Sequence, residues 1–343
     1  MPSRSLVLGA AGFLGLNLVD ALVARGELPR CAHRATTNTL PLRRRELPRL
    51  PRVIVDVRDP RSLVAAMGDI DVVYHVAGHY PRDARAPAAS LARALTELDA
   101  ILDAAATARV PRLVYVSSTA TVAPSARGPS TEADVYPPGT DLAALGVYHT
   151  VKIALERRAL AESRLDVPIL CPGACIGAWD LRVGTSALIV QTALGADPPH
   201  PDGWVNLVDV RDVADLLVVL GTHPSPPRRT LVSALDLRLH DLLTLLAARY
   251  GTRPPSPPLT PQAAIALADA EEARVHGTPH RARLAREIVD LVLHAHPIDA
   301  RLARSLLGRA PRSLDDALDT FDAFARRLHI LPAAPAPSSA ARL

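Results

Sequence analysis

Along the first 170 residues, short runs of aliphatic and β-branched residues alternate with longer stretches of helical periodicity. Ser5–Leu8 precedes Phe13–Arg25, Arg52–Asp56 precedes Arg61–Met67, Asp71–Val76 precedes Ala88–Arg109, and Arg112–Ser117 precedes Val147–Ser163. The strand-like runs are apolar on both faces, which suits strands covered on both sides, and strands separated by helices pair in parallel through crossovers. Weaker runs at Arg30–Arg34 and Val167–Leu170 read as further strands of the same sheet.

Beyond residue 172 the pattern loses this regularity. Trp204–Val208 and Thr230–Ser233 read as short strands around a helical Val210–Leu220, and 238–250, 261–275, 279–296 and 313–329 read as helices. Pro254–Pro261 is a proline-rich connection, and Leu331–Leu343 is a low-complexity stretch expected to be disordered. No internal repeat is present. The expected fold class is therefore α/β, a Rossmann-type doubly wound parallel sheet with a smaller, mostly helical C-terminal lobe. Residues 1–172 with about 204–235 should form the dinucleotide-binding unit, and 173–203 with 236–330 the substrate lobe.

Composition narrows the function. Of 343 residues, 48% are hydrophobic and 22% charged, which excludes a wholly disordered chain. Aromatic residues are only 3% and the net charge is +4, so neither base-stacking platforms nor a basic track favours a nucleic-acid partner, and Arg43–Arg45 reads as a solvated loop. No apolar run reaches the roughly 20 residues of a membrane span. Met1–Val19 has the outline of an export signal, yet Asn17 and Asp20 interrupt it and regularly spaced glycines mark it as part of the fold. Cys31, Cys171 and Cys175 cannot all pair and lack metal-site spacing, so a reducing, cytoplasmic setting and no metal are expected. Cys171 and Cys175 read as small buried groups.

After the first strand comes Gly9-Ala-Ala-Gly12-Phe13-Leu14-Gly15, opening a helix. Gly9 permits a tight turn, Gly12 lets the backbone approach a pyrophosphate and Gly15 allows helix to pack on strand, while the N–H groups of the first turn are free for phosphate. At the end of the second strand, where an acid would accept bonds from ribose hydroxyls, the chain has Arg34 and then Thr36, Thr37 and Asn38. Arginine suits a 2′-phosphate, so NADP(H) is preferred, with NAD(H) possible. Asp56 and Val57, at the end of the third strand, are placed for the adenine edge.

The chain holds a single lysine, Lys152, among 39 Lys and Arg residues, and it follows Tyr148 by four positions at the start of a predicted helix. With 6 tyrosines in 343 residues, chance would give this spacing only about twice in a hundred. The pair shares one helix face, where an ammonium lowers the pKa of a phenol and makes it a usable acid–base group. Arginine, bulkier and differently aimed, would replace it poorly. Ser118 and Thr119 leave a strand at its C-terminal edge, where a hydroxyl meets the cleft of an open parallel sheet and can hold a substrate carbonyl; each also serves as a turn former. His75 reads as a strand-end packing residue, and His79 and Tyr80 begin a loop that could line the substrate pocket.

The motifs GAAGFLG at 9–15, DVRD at 56–59, HVAG at 75–78, VSSTA at 116–120, YHTVK at 148–152, CPGACIGAWD at 171–180 and VNLVDVRDVAD at 205–215 together resemble the extended short-chain dehydrogenases/reductases, the NAD-dependent epimerase/dehydratase family. The resemblance covers about residues 4–235. It is closest to the dihydroflavonol reductase and 3β-hydroxysteroid dehydrogenase-like branch. It implies catalytic Thr119, Tyr148 and Lys152, a nicotinamide held near Pro172 and Cys175, and a cofactor contact at Ala77. Two departures stand out. Ala94 occupies the position at which the family usually has an asparagine, and no asparagine occurs in 170–174, where sugar-nucleotide members commonly have one.

The resulting expectation is a reductase of a ketone or aldehyde on a hydrophobic small molecule, possible as a homodimer and as part of secondary metabolism. An epimerase, dehydratase or isomerase with recycled cofactor is the alternative from the same fold. A non-catalytic cofactor sensor is the alternative from another class.

Overall fold

The computed structural model describes residues 4–44, 46–78, 87–181, 184, 186–278 and 282–332. Seven strands make one parallel sheet: β1 (Ser5–Leu8), β2 (Arg30–His33), β3 (Arg52–Ile54), β4 (Val72–His75), β5 (Arg112–Val116), β6 (Ile169–Pro172) and β9 (Arg229–Val232). Their spatial order is β3-β2-β1-β4-β5-β6-β9, with Leu8 beside Ala32 on one side and His75 on the other. The order reverses between β1 and β4. That reversal opens a crevice at the C-terminal ends of the strands, where ligands bind open α/β sheets.

Helices cover both faces. On one lie α2 (Pro60–Met67), α3 (Pro87–Thr107) and α4 (Val147–Leu160), whose Leu63, Leu98, Ile101, Leu102, Val151 and Leu155 pack on Leu6, Val73, Leu113 and Ile169. On the other lie α1 (Phe13–Ala24), α6 (Val210–Thr222) and α10 (Arg301–Leu307), which bring Leu16, Val19, Leu217 and Ala303 against Val7, Tyr74 and Val114. Polar chemistry fixes several helix starts: Asp59 caps α2 with Pro60 following, and Asp209 caps α6. Ala94 is buried in the α3 face of the first core, in line with its apolar character.

A second, three-stranded sheet has β8 (Trp204–Asp209) at its centre, parallel to β7 (Ala174–Ile176) and antiparallel to β10 (Leu235–Arg238). With α5 (Ala187–Ala193), α7 (Leu239–Tyr250), α9 (Arg286–His294) and α11 (Leu314–Arg327) it encloses another core around Ile176, Leu207, Leu243 and Phe321. α8 (Pro261–Val275) packs on α9 through Ala264, Ala268, Leu284 and Val289.

The segment 204–235 is divided between the two sheets: β8 belongs to the small one, and the chain returns through α6 to place β9 at the edge of the large one. Within the expected helix at 279–296, the described helical turns run only from Arg286 to His294; residues 279–281 lie outside the described residues, and Pro297 follows the end of the helix. β7, β10, α5 and α10 have no counterpart in the sequence reading. They span three, four, seven and seven residues, too short for hydrophobic periodicity to register, and pairing and packing hold them in place.

Candidate active site

The glycine turn sits at the crevice, between β1 and α1. Gly9 has φ +93°, and a β-carbon there would come within 2.8 Å of the Ala77 β-carbon. At Gly15 a β-carbon would lie 2.1 Å from the Gly9 carbonyl oxygen, so only hydrogen permits that approach of helix to turn. Gly12 caps α1 without a side-chain bond. The N–H groups of Phe13, Leu14 and Gly15 belong to the first helical turn, which has no intrahelical acceptors. A narrow cradle with outward-facing donors fits a dinucleotide pyrophosphate.

Arg34 follows β2 at the same edge of the sheet and is exposed. Asp56 lies beyond β3, which ends at Ile54. Its carboxylate accepts from the Arg58 guanidinium at 2.8 and 3.0 Å, and that partner holds its pKa down to about 2. Val57, beside it, packs on the core below.

Toward the other end of the crevice, α4 brings Tyr148 and Lys152 to the ends of β4 and β5. The Lys152 ammonium lies 5.7 Å from the centroid of the Tyr148 ring, and a β-carbon on Gly78 would sit 3.1 Å from its Nζ. Ser118, which caps the turn Thr119–Thr121, hydrogen-bonds the Tyr148 hydroxyl through its side chain. Thr119 begins that same turn. Pro172 ends β6 and Cys175 stands on β7, close enough for the thiol to act electrostatically on Tyr148. His79 and Tyr80 lie outside the described residues.

The expected depression of the Tyr148 pKa by Lys152 is not what the structure has. Burial pushes Tyr148 up to about 12, against a lowering by the Ser118 bond. Burial also drives Lys152 down to about 8, with Glu156, Cys171 and Glu287 resisting. For each group the burial cost of the charged form outweighs what its neighbours return. At neutral pH Tyr148 therefore carries its proton and Lys152 its charge.

Two residues near the pair escaped the sequence reading. Glu287, in the first turn of α9, projects a negative field onto both Tyr148 and Lys152 from the second lobe. Glu156, one turn beyond Lys152, is buried under the site. Only its spacing from Lys152 signalled it. Cys171 is buried and Cys175 partly so; burial pushes the Cys175 thiol up to about 12 and the Cys171 thiol well above its ordinary range, so neither is a thiolate near neutrality.

Two buried histidines give the fold an acid-sensitive region. Burial, aided by Lys152, lowers His75 to about 4; burial and then His294, whose ring meets that of His149 edge-on at 5.4 Å, lower His149 to about 4. Between pH 6.5 and 4 the unfolded chain binds these protons and the folded one does not, so their contribution to stability is present above pH 6.5 and lost as pH falls toward 4. Urea unfolding should show each costing about 2 kcal/mol between pH 7 and pH 5. His149→Gln should shrink that loss, and equal pH dependence in variant and parent would contradict the assignment.

The chain matches the family described as NAD dependent epimerase/dehydratase over residues 5–232. It belongs to that family. These extended short-chain dehydrogenases/reductases are nicotinamide-dependent oxidoreductases and epimerases, and the doubly wound sheet is theirs. The chain is 29% identical over 321 residues to the sterol demethylase protein B of Methylococcus capsulatus, covering 90% of this chain and 94% of that protein. It is 31% identical over 182 residues to a 3 beta-hydroxysteroid dehydrogenase/Delta 5→4-isomerase of Mycobacterium tuberculosis, covering 51% of this chain and 47% of that one. Among solved structures, PA4631, a nucleoside-diphosphate-sugar epimerase from Pseudomonas aeruginosa, superposes with a TM-score of 0.78 at 24% identity, over 96% of this chain and all of that one, a likeness of fold. No helix among the described residues is long and apolar enough to cross a membrane.

Proposed function

We propose that this family member is an NADP(H)-dependent reductase of a ketone or aldehyde carried on a hydrophobic small molecule. The observation that carries the reading is the gathering of Ser118, Tyr148 and Lys152 at the strand ends, in the same crevice as the glycine cradle. A bound nicotinamide dinucleotide supplies a hydride. Tyr148, protonated at neutral pH, delivers its hydroxyl proton to the carbonyl oxygen as that oxygen gains charge. Thr119, with Ser118 beside it, orients that oxygen, and the Lys152 ammonium favours the phenolate left on Tyr148. Gly9, Gly12, Phe13, Leu14 and Gly15 hold the pyrophosphate, and Ala77, Pro172 and Cys175 border the nicotinamide. Arg34 takes the 2′-phosphate, and Asp56 and Val57 meet the adenine.

The substrate class draws on two relatives, one named for sterol demethylation and one as a hydroxysteroid dehydrogenase, and on the apolar cores of the second lobe. Steroid-like and other polycyclic ketones are the first substrates to offer. NADPH oxidation should follow their addition, with an alcohol as product; binding of NADPH without turnover on any hydrophobic ketone or aldehyde would instead favour a cofactor sensor.

Arg34→Asp tests the cofactor preference. The parent should bind NADPH at least tenfold more tightly than NADH, and the variant should reverse that order, because the carboxylate repels a 2′-phosphate and accepts from ribose hydroxyls. Equal affinity of the parent for both would remove the role of Arg34.

Glu287 supports a second reading, an isomerase or epimerase of the same family. Its carboxylate, close enough to act electrostatically on Tyr148, would be a further acid–base group, which simple reduction does not require. Under that reading, product forms without net NADPH use and Glu287→Gln abolishes it.

A further inference from the structure

Tyr148, Lys152 and Glu156 stand at successive four-residue steps along one face of α4. Glu156 is only 3% exposed. One carboxylate oxygen accepts from the hydroxyls of Ser117 and Thr121, the latter at 2.6 Å, and from the Cys171 thiol at 3.3 Å. The other faces the Arg229 Nε at 2.8 Å. Arg229 reaches in from β9, its side chain 6% exposed, and donates to the backbone oxygens of Thr121 at 3.1 Å and Glu132 at 2.9 Å and to the Thr121 hydroxyl at 3.2 Å. One ion pair thus joins α4, the edge strand of the large sheet and the turn that carries Ser118 and Thr119.

A pair placed this deep needs a reason, since apolar residues of similar volume fill such a space at no loss of stability. We propose that Glu156, held by Arg229, is a positioning residue for the Tyr148–Lys152 pair: it clamps the 117–121 turn against α4 and supplies the negative end of the local field in which the Lys152 ammonium sits. The assignment rests on the reductase reading for its purpose, though not for its test. The groups facing Lys152 are Tyr148 and Glu156 on its own helix, His75 on β4, Cys171 on β6 and Glu287 on α9. Burial holds Cys171 neutral and keeps His75 neutral above about pH 4, so the acidic side chains of the set are Glu156 and Glu287. Glu156 heads the opposition to desolvation of the lysine.

The two ends of the pair should act on Lys152 with opposite signs. Glu156→Gln removes the anion and leaves the Arg229 cation uncompensated, so the lysine should lose its proton more easily. Arg229→Gln removes the cation and leaves Glu156 bare, so the lysine should hold its proton longer. A role in packing alone would not distinguish the two.

As the only lysine, Lys152 reports its own titration: the rate of amine-selective labelling, read by peptide mass spectrometry as a function of pH, gives its midpoint directly. In the full-length protein, Glu156→Gln should lower that midpoint by about one pH unit and Arg229→Gln raise it by a similar amount, the usual scale for one nearby charge. The double variant carries neither charge, which guards against the loss of a fold by one unpaired ion, and should fall between the parent and Glu156→Gln. In folded variants, shifts of the same sign, or no shift, would overturn the assignment; if a single variant does not fold, a double variant with its midpoint at or above that of the parent overturns it as well. Failure of the parent to reduce any carbonyl would count against the reductase reading and leave this order of midpoints standing. Unmoved midpoints in an active reductase would remove Glu156 alone.

Discussion

Tyr148→Phe is expected to lower turnover by about a hundredfold or more while leaving fold and NADPH binding intact, the scale for losing a positioned general acid. The ring stays, so its packing survives; only the hydroxyl that meets Ser118 is lost. Steady-state kinetics with NADPH and the best ketone substrate provide the measurement, together with a cofactor titration by fluorescence. An unchanged Kd for NADPH with collapsed kcat is the predicted result. Retained turnover would mean that another group, with Glu287 the first to examine, delivers the proton.

Lys152→Arg should be nearly as severe, although charge is conserved. The ammonium sits so close to Gly78 that even a β-carbon there would be 3.1 Å from Nζ, and a planar guanidinium cannot share that volume without moving the 75–78 strand end or α4. A surface cation replaced in this way would change stability by no more than about 0.5 kcal/mol and leave the rate alone. Here the rate should fall by at least tenfold. Its pH dependence should change too: in the parent, reduction should decline as pH rises through about 8, where Lys152 loses its proton, and in the variant that limb should be absent, since arginine does not titrate in this range. A variant with parental rate and an unaltered pH profile would place Lys152 outside the chemistry.

The parallel sheet was legible because its strands are continuous apolar runs separated by helices long enough for their period to show. The glycine turn was legible because Gly9 and Gly15 answer local steric demands that only glycine meets. That Tyr148 and Lys152 share one helix face was legible from their spacing alone. The second sheet was not: β7 and β10 are short, β10 carries Asp236 and Arg238, and its pairing with β8 is settled by tertiary contact. The direction of the Tyr148 pKa is not legible in the sequence for a related reason. Sequence spacing reports that a lysine is near, but not the burial that raises the phenol, which only the folded structure shows. Glu156 and Arg229 are 73 positions apart, so no local pattern links them, and Glu287 reaches the site only because α9 docks on α4.

The placement of Lys152 and Tyr148 beside a bound nicotinamide is tested most directly by the labelling rate of this single lysine with and without saturating NADPH. Occupied cofactor should protect it, slowing labelling at Lys152 at least tenfold while the N-terminal amine reacts at an unchanged rate. Equal labelling of Lys152 in both conditions, with NADPH shown to be bound, would contradict the account.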